Sequence, residues 1–269
     1  MSLSVCIAGA TGWAGRALAK AVFQTSDLSL VGAVSRTHAG SNLGTVLEVP
    51  GLNVPISGTV IDALQSSTNV FVDYTKPDAV KENVLTAIRK GAHVVIGTSG
   101  LMEEDFPEIH EAAVRNNVGV IAAGNFSVTA VLLERFAIQA AKYLSSWEIL
   151  DFASETKPDA PSGVSRELAY RLSQIKEPAV SRPIEKTIGK IESRGATFHQ
   201  SQIHSIRLPG YVIALEIIFG EAQERLILRH EAGTGAEPYI PGALLAIRKV
   251  SGYVGLIRGL DQVLDSQEV

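Results

Sequence analysis

The residues Val5-Cys6-Ile7-Ala8 form a short apolar run that opens directly onto Gly9-Ala10-Thr11-Gly12-Trp13-Ala14-Gly15. An apolar pattern at helical spacing follows through Leu18, Ala21 and Val22. Few backbone geometries tolerate this succession: a buried strand must turn sharply, and a helix must begin at once. Gly9 ends the strand in a tight turn, Gly12 lets backbone N–H groups approach a pyrophosphate, and Gly15 lets the new helix pack close to the sheet. The helix start then offers unpaired N–H groups and a positive dipole end to phosphates. A glycine pattern alone is only a Gly-rich turn, but between a strand and a helix it points to dinucleotide binding. Thr11, Trp13 and Ala14 join Gly9 and Gly12 as candidate cofactor contacts.

The next strand, Leu28 to Val34, ends at Ser35-Arg36-Thr37-His38. An acidic residue about 20 positions beyond the glycines would bind the ribose 2′-hydroxyl of NAD. Ser35 stands there instead, and Arg36 can pair with a 2′-phosphate that an acid would repel, helped by Ser35, Thr37 or His38. NADP(H) is therefore expected over NAD(H); the competing reading of Arg36 is a solvated loop charge.

Ile56 to Ile61 is expected as another strand. Val70 to Tyr74 follows, with Pro77 opening a helix through about Lys90. His93 to Ile96 reads as a strand closing in Gly97-Thr98-Ser99-Gly100, Glu103 to Asn116 as a helix, and Val118 to Ala122 as a strand ending at Gly124-Asn125-Phe126-Ser127. Strand and helix thus alternate through the first half, the signature of a doubly wound α/β parallel sheet. Ligands of such sheets lie outside the carboxyl ends of the strands. Tyr74, Thr75, Gly97, Thr98, Ser99, Asn125 and Phe126 should therefore join the glycine loop around one crevice. His93 begins its strand at the opposite end and reads as structural.

With 24 basic and 28 acidic residues in 269, the chain has no charge footprint for nucleic acid. Its single cysteine, Cys6, excludes an intramolecular disulfide and reads as core filler in a reducing cytoplasm. Met1-Ser2-Leu3 lacks the basic start of an export signal, and Val128–Leu144 is broken by Glu134, Arg135 and Lys142, so no membrane span is expected. A soluble cytoplasmic protein with a small-molecule substrate is the expectation. His110, His199, His204 and His230 show no metal-ligand spacing.

The rhythm changes after a helix from Val128 to about Leu144. Trp147 to Phe152 is strand-like and leads into Ala153-Ser154-Glu155-Thr156-Lys157-Pro158-Asp159-Ala160-Pro161-Ser162-Gly163-Val164. Ser162 is a good N-cap for a helix from about Val164 to Ile175. Lys157 thus precedes a helix start whose N–H groups at Gly163 and Val164 suit a carboxylate; a solvated lysine beside an ordinary cap is the alternative. Residues 176–200 read as an exposed connection. Ile203 to Leu208, Tyr211 to Phe219 and Glu224 to Glu231 read as antiparallel strands, with a turn at Pro209-Gly210. This half is α+β, with one sheet face available for another subunit. The helix Pro241 to Lys249 and the Tyr253–Leu264 segment are expected to return to the first domain.

Several stretches together resemble the 4-hydroxy-tetrahydrodipicolinate (dihydrodipicolinate) reductase family. They are Gly9 to Gly15, Asp73-Tyr74-Thr75-Lys76-Pro77, Gly97 to Gly100, Asn125 to Ser127, Lys157 to Gly163 and Gly242-Ala243-Leu244. The Asp-Ala-Pro-Ser-Gly run with a lysine two residues before it is the most specific of them. The resemblance implies a Rossmann-type NAD(P)H domain, residues 1–126 and 241–269, and a substrate-binding and oligomerisation domain with a mixed sheet, residues 127–240, building a homotetramer. It also implies hydride transfer in lysine and diaminopimelate biosynthesis, with Gly97, Thr98 and Ala123 to Phe126 at the nicotinamide. Lys157, Ser162 and Gly163 would lie near the substrate carboxylates.

The chain departs from the family pattern at chosen places. A His-His pair, one member being the proposed general acid, is replaced by Ala153 and Ser154; a carboxylate-binding threonine is replaced by Val164, which offers only its backbone N–H; and a downstream arginine gives way to Gly233-Thr234-Gly235. General acid catalysis typically contributes about 10²–10⁴-fold, so another donor is needed; Ser154 is a poor acid, and Glu155 or Thr156 is expected to relay a proton through water. Lys157, Ser154 and Glu155 are the catalytic candidates. The expectation is a divergent reductase delivering hydride from NADPH to a cyclic imine or a conjugated C=N or C=C bond of a carboxylated molecule. An imine reductase on a less carboxylated substrate and a non-catalytic NADP(H) sensor are the alternatives.

Overall fold

The computed structural model describes residues 2–64, 67–211 and 213–264. Strands β1 (Leu3–Ala8), β2 (Leu28–Val34), β3 (Ile56–Ser57), β4 (Val70–Asp73), β5 (His93–Ile96), β6 (Gly119–Ala122) and β12 (Gly255–Arg258) form one sheet. Their order is β12-β6-β5-β4-β1-β2-β3, and every pair is parallel. Near-continuous apolar strands suit a sheet covered on both faces. Cys6 and Ala8 face Phe71, Val94, Ile96 and Val120 in a core that also takes Val84, Ile88 and Ile109. The covering helices are α1 (Trp13–Gln24), α3 (Val60–Ala63), α4 (Val80–Arg89), α5 (Asp105–Arg115) and α8 (Ile240–Lys249), with the short α2 (Leu43–Leu47) and α9 (Asp261–Leu264) beside them. Helix α1 buries Gly15, Leu18, Ala19 and Val22, one stripe at helical spacing.

Strand order reverses between β1 and β4. Their carboxyl ends therefore leave a crevice uncovered by crossover connections, where ligands of such sheets bind. The returning segment adds β12 beside β6, with Gly255 paired to Gly119.

Two details differ from the sequence reading. The strand expected over Ile56–Ile61 stops at Ser57, because Thr59 caps a helical turn: its hydroxyl accepts from the Asp62 N–H at 3.2 Å and donates to the Asp62 carboxylate at 2.6 Å. Pro77 begins a turn rather than the helix, which starts at Val80. The Thr75 N–H is drawn to Asp73 and Thr98, which keeps the segment before Pro77 out of helical geometry.

The chain divides into two compact units, one running to Val128 and resuming at Ala236, the other Thr129–Gly235. The second sheet comprises β7 (Ser146–Ala153), β8 (Ala196–Phe198), β9 (Ser201–Arg207), β10 (Ile213–Gly220) and β11 (Arg225–Ala232), in the order β11-β10-β7-β9-β8. Helices α6 (Val128–Ala141) and α7 (Gly163–Ser173) cover one face, packing Leu133, Ala137, Leu168 and Leu172 on Trp147, Ile149, Ile203, Ile217 and Phe219.

Here the sequence reading needs a larger correction. Pro209-Gly210 does not join paired neighbours: β7 inserts between β9 and β10, parallel to the first and antiparallel to the second. Ile149 lies opposite both Ile203 and Ile217, so three apolar rows share one core face. The expected strand from Tyr211 begins at Ile213, Val212 lying outside the described residues, and the connection over 176–200 contains β8, which pairs with β9.

Candidate active site

In the first unit the glycine turn is locked against the end of β4. Gly9 has φ +77°, and a Cβ there would lie 2.1 Å from the Tyr74 carbonyl oxygen. A Cβ on Gly15 would lie 2.0 Å from the Gly9 carbonyl oxygen, so α1 starts directly against the turn. The first helical bond runs from the Arg16 N–H to the Gly12 carbonyl, 2.9 Å, which leaves the preceding N–H groups directed out of the helix start.

Asp73, wholly buried at the end of β4, organises the neighbouring loops. Its carboxylate accepts from the Thr75 N–H (3.0 Å), the Thr75 hydroxyl (2.7 Å), the Thr98 hydroxyl (2.5 Å) and the Asn83 amide (2.9 Å). The exits of β4 and β5 are thereby latched together. At the exit of β6, the Asn125 side chain accepts from the Ser127 N–H at 2.8 Å, a local turn that orients its amide.

These loops line a cavity of about 520 Å³ formed by Gly12, Trp13, Ala14, Tyr74, Thr75, Pro77, Gly97, Thr98, Ser99, Gly124, Asn125, Phe126 and Tyr239. Two edge-to-face aromatic pairs stand in it, Tyr74 with Phe126 at 6.2 Å and Trp13 with Tyr239 at 5.8 Å. Burial, aided by the nearby Tyr239, pushes the Tyr74 phenol well above its usual range and keeps it a neutral donor.

A second patch gathers at the ends of β1 and β2. The Thr11 and Ser35 hydroxyls lie 2.9 Å apart, and Ser35 is 3.3 Å from the Thr37 hydroxyl, which meets His38 Nδ1 at 2.9 Å. Arg36 is exposed beside this cluster. The first unit thus brings every nucleotide-site candidate to one edge of its sheet: the lining residues in the cavity, and Gly9, Thr11, Ser35, Arg36 and Thr37 around the adjoining turn.

In the second unit the loop after β7 carries the remaining candidates. Lys157 Nζ pairs with the Asp159 carboxylate at 2.6 Å, and its N–H donates to the Ser154 carbonyl at 3.0 Å. The Ser154 hydroxyl contacts that of Thr156 at 3.0 Å, and Glu155 is exposed. Ser162 is buried and spent on structure: its hydroxyl accepts from the Ser165 N–H and its own N–H donates to Asp151 at 2.8 Å. The first-turn N–H groups of Gly163 and Val164 meet no acceptor among the described residues. Burial drives the Asp151 carboxyl upward, but hydrogen bonds from Ser162 and Arg207 outweigh it and hold it below its ordinary range.

Sequence reasoning placed Asp73 in a loop at the crevice without giving it a role, and missed Asn83, Tyr239 and Arg207. A lone carboxylate ending the apolar run Val70–Tyr74 was a usable signal for Asp73; Tyr239 had none, being brought to the cavity by the returning segment. Histidines sit in structural contacts: His93 Nδ1 accepts from the Gly119 N–H at 2.9 Å, and His230 Nδ1 meets the Thr129 hydroxyl at 3.0 Å.

Residues 3–126 and 129–264 match the family models described as dihydrodipicolinate reductase, N-terminus and C-terminus. The chain belongs to the dihydrodipicolinate reductase family. Within it, the chain is 38% identical to a 4-hydroxy-tetrahydrodipicolinate reductase of Thermosynechococcus vestitus, with 97% of each chain covered. It is 35% identical to the Moorella thermoacetica enzyme of the same name, with 98% of each covered. A solved dihydrodipicolinate reductase from a Paenisporosarcina species, with dipicolinate bound, superposes with a TM-score of 0.87 at 28% identity, covering 97% of this chain and 99% of that one. The protein is therefore an NAD(P)H-dependent oxidoreductase of the dihydrodipicolinate reductase type, with a Rossmann nucleotide-binding unit. No described helix is long and apolar enough to cross a membrane.

Proposed function

We propose that the protein is an NADPH-dependent reductase that delivers hydride to a C=N or conjugated C=C bond of a small carboxylated ring compound. Its substrate is 4-hydroxy-tetrahydrodipicolinate, in lysine and diaminopimelate biosynthesis, or a close relative of it. The observation that carries this reading is the latch built on buried Asp73, which joins the β4 and β5 exits beside the glycine turn into one cradle with unpaired helix N–H groups. Such a cradle fits a dinucleotide phosphate. The bound cofactor supplies the hydride; this chain's residues hold, orient and protonate.

The assignment of NADPH rests on the hydroxyl cluster of Thr11, Ser35 and Thr37 with the exposed Arg36 guanidinium beside it. A planar guanidinium pairs with a phosphate by two parallel bonds, and no acidic side chain stands in the Ser35–His38 run. In the second unit, Lys157 and the N–H groups of Gly163 and Val164 form the carboxylate anchor. Ser154, through its hydroxyl contact with Thr156, and exposed Glu155 are the groups placed to relay a proton through water. Ser162 contributes by capping α7: its hydroxyl is engaged by Ser165 rather than by substrate.

A second reading, imine reduction of a less carboxylated ring, draws on Val164 and Gly235, neither of which offers a side-chain donor. Half-buried Leu150 and Ile218, on the face of the second sheet turned away from α6 and α7, and exposed Ile227 beside them support a homotetramer, and the single buried Cys6 fits a cytoplasmic setting.

The deciding measurement is NADPH oxidation with freshly generated 4-hydroxy-tetrahydrodipicolinate, with NADH in parallel. Turnover near roughly 1–10³ per second is expected, faster with NADPH at low cofactor concentration. No turnover despite tight NADPH binding transfers the assignment to the imine reading, tested next with a cyclic-imine panel.

A further inference from the structure

One guanidinium in the second unit reaches both ends of the candidate substrate loop. The chain leaves β7 at Ala153, runs through Lys157 and Asp159, and re-enters regular structure at Ser162. Arg207, at the end of the neighbouring β9, donates from Nη2 to the Asp151 carboxylate at 2.7 Å and to the Asp159 carbonyl at 2.8 Å. Its Nη1 donates to the Asp151 carbonyl at 3.2 Å and the Ile206 carbonyl at 2.9 Å. The same Asp151 oxygen accepts from the Ser162 N–H (2.8 Å) and the Ser205 hydroxyl (3.1 Å). Asp151 is 1% exposed, and Arg207 Nε is buried without a partner among the described residues.

Stability is a weak reason for such a pair. Buried ion pairs contribute little net stability against apolar replacements, and here a donor is also left unsatisfied. What the arrangement does accomplish is placement. It catches the Asp159 carbonyl and the Ser162 N–H, so the segment between them is fixed on the end of β7. Asp159 in turn holds Lys157 Nζ through its carboxylate at 2.6 Å, and Ser162 sets the start of α7.

We propose that Arg207, clamped by Asp151, is a positioning residue that aims Lys157 and the α7 N-terminus at the substrate carboxylate. The proposal rests on the carboxylate-anchor reading given above. Its logic is that of a preorganised site: an anchor misplaced by an ångström loses most of its effect even when the fold is intact.

Arg207→Lys keeps a positive charge beside Asp151, but a single ammonium lacks the planar fork that reaches Asp151 and the Asp159 carbonyl together. The double variant Asp151→Asn/Arg207→Met removes both charges, so no lone ion is buried. Both are compared with Lys157→Met in the full-length protein. Readouts are the Kd for pyridine-2,6-dicarboxylate by calorimetry, the Kd for NADPH, the melting temperature, and hydrogen exchange at residues 159–163.

Dicarboxylate affinity should fall by about 10–10²-fold in both Arg207 variants, approaching Lys157→Met. Exchange over 159–163 should rise, while NADPH affinity stays unchanged and at least one variant melts near the wild type. Dicarboxylate binding within about twofold of wild type in a folded variant would overturn the proposal and leave the anchor reading intact. Equal dicarboxylate binding by wild type and Lys157→Met would overturn the anchor reading and this inference with it.

Discussion

At Gly15 a single methyl group decides whether the nucleotide turn can close. A Cβ there lies 2.0 Å from the Gly9 carbonyl oxygen, and the obstacle is backbone, which cannot swing aside. Gly15→Ala should therefore displace the start of α1, at a cost of about 1–3 kcal/mol of overpacking. A lower thermal midpoint together with lost NADPH binding in a fluorescence titration is the expected result. Arg36 is the opposite case, a residue exposed on the surface whose removal the fold should not feel. Losing a charge-assisted bond is worth about 1.5–3 kcal/mol, so Arg36→Ala should raise the KM for NADPH by one to two orders of magnitude and leave that for NADH unchanged. A parallel rise for both cofactors would remove the 2′-phosphate role. Restoring histidines at Ala153 and Ser154 should change turnover little if another group already supplies the proton; a gain approaching the roughly 10²–10⁴-fold of a general acid would mean that no donor replaced the lost one. These residues could be picked out from the sequence because the residue type itself carries the chemistry. For Asp73 the sequence marks only a lone carboxylate in an apolar run; its role comes from donors on Thr75, Asn83 and Thr98, which only folding brings to one carboxylate.

Elements behave differently, because their ends are set by caps and their edges by neighbours. Ser162 was legible as a cap, and its hydroxyl accepts from the Ser165 N–H as expected of that position. Neighbouring strands of the first sheet are fastened less visibly: His93 Nδ1 accepts the Gly119 N–H, joining β5 to the start of β6. Burial lowers the His93 pKa, and only the neutral ring can accept this bond. The folded value lies below the unfolded value of about 6.5, so the unfolded chain binds more protons in acid. The bond's stability is present above about pH 6.5 and is lost as pH falls through the depressed folded value. Urea midpoints should hold steady from about pH 7.5 to 6.5 and decline below that, with a shallower decline in His93→Gln, whose amide oxygen still accepts. An identical acid slope in both proteins would place the effect elsewhere.

For the whole molecule, the face of the second sheet turned away from α6 and α7 is the feature with the widest consequence. Strand alternation turns Ile149, Ile203 and Ile217 toward α6 and α7, and turns Leu150, Phe152 and Ile218 the other way. On β11, Ile227 is 53% exposed in the single chain. Half-buried Leu150 and Ile218 lie on the same side, and an apolar patch of this kind, on a face that also carries Glu148, His204 and Glu216, marks an interaction surface. Light scattering should give a mass near four chains, and Leu150→Arg with Ile218→Arg should lower it without altering NADPH affinity. A monomeric wild type would dispose of the assembly. The sequence by itself determined what is local: the glycine turn, the alternation of strands and helices that makes a parallel sheet, the lysine-bearing loop and its cap. Periodicity reports which face of an element is buried, and motifs report which chemistry a loop can offer. Neither reports which strand lies alongside which. The insertion of β7 between β9 and β10, the return of β12 to β6, the arrival of Tyr239 in the cavity and the grip of Arg207 on Asp159 were decided only by tertiary structure. Each depends on burial and hydrogen bonding between segments far apart in the chain, where nothing in the local pattern distinguishes one partner from another.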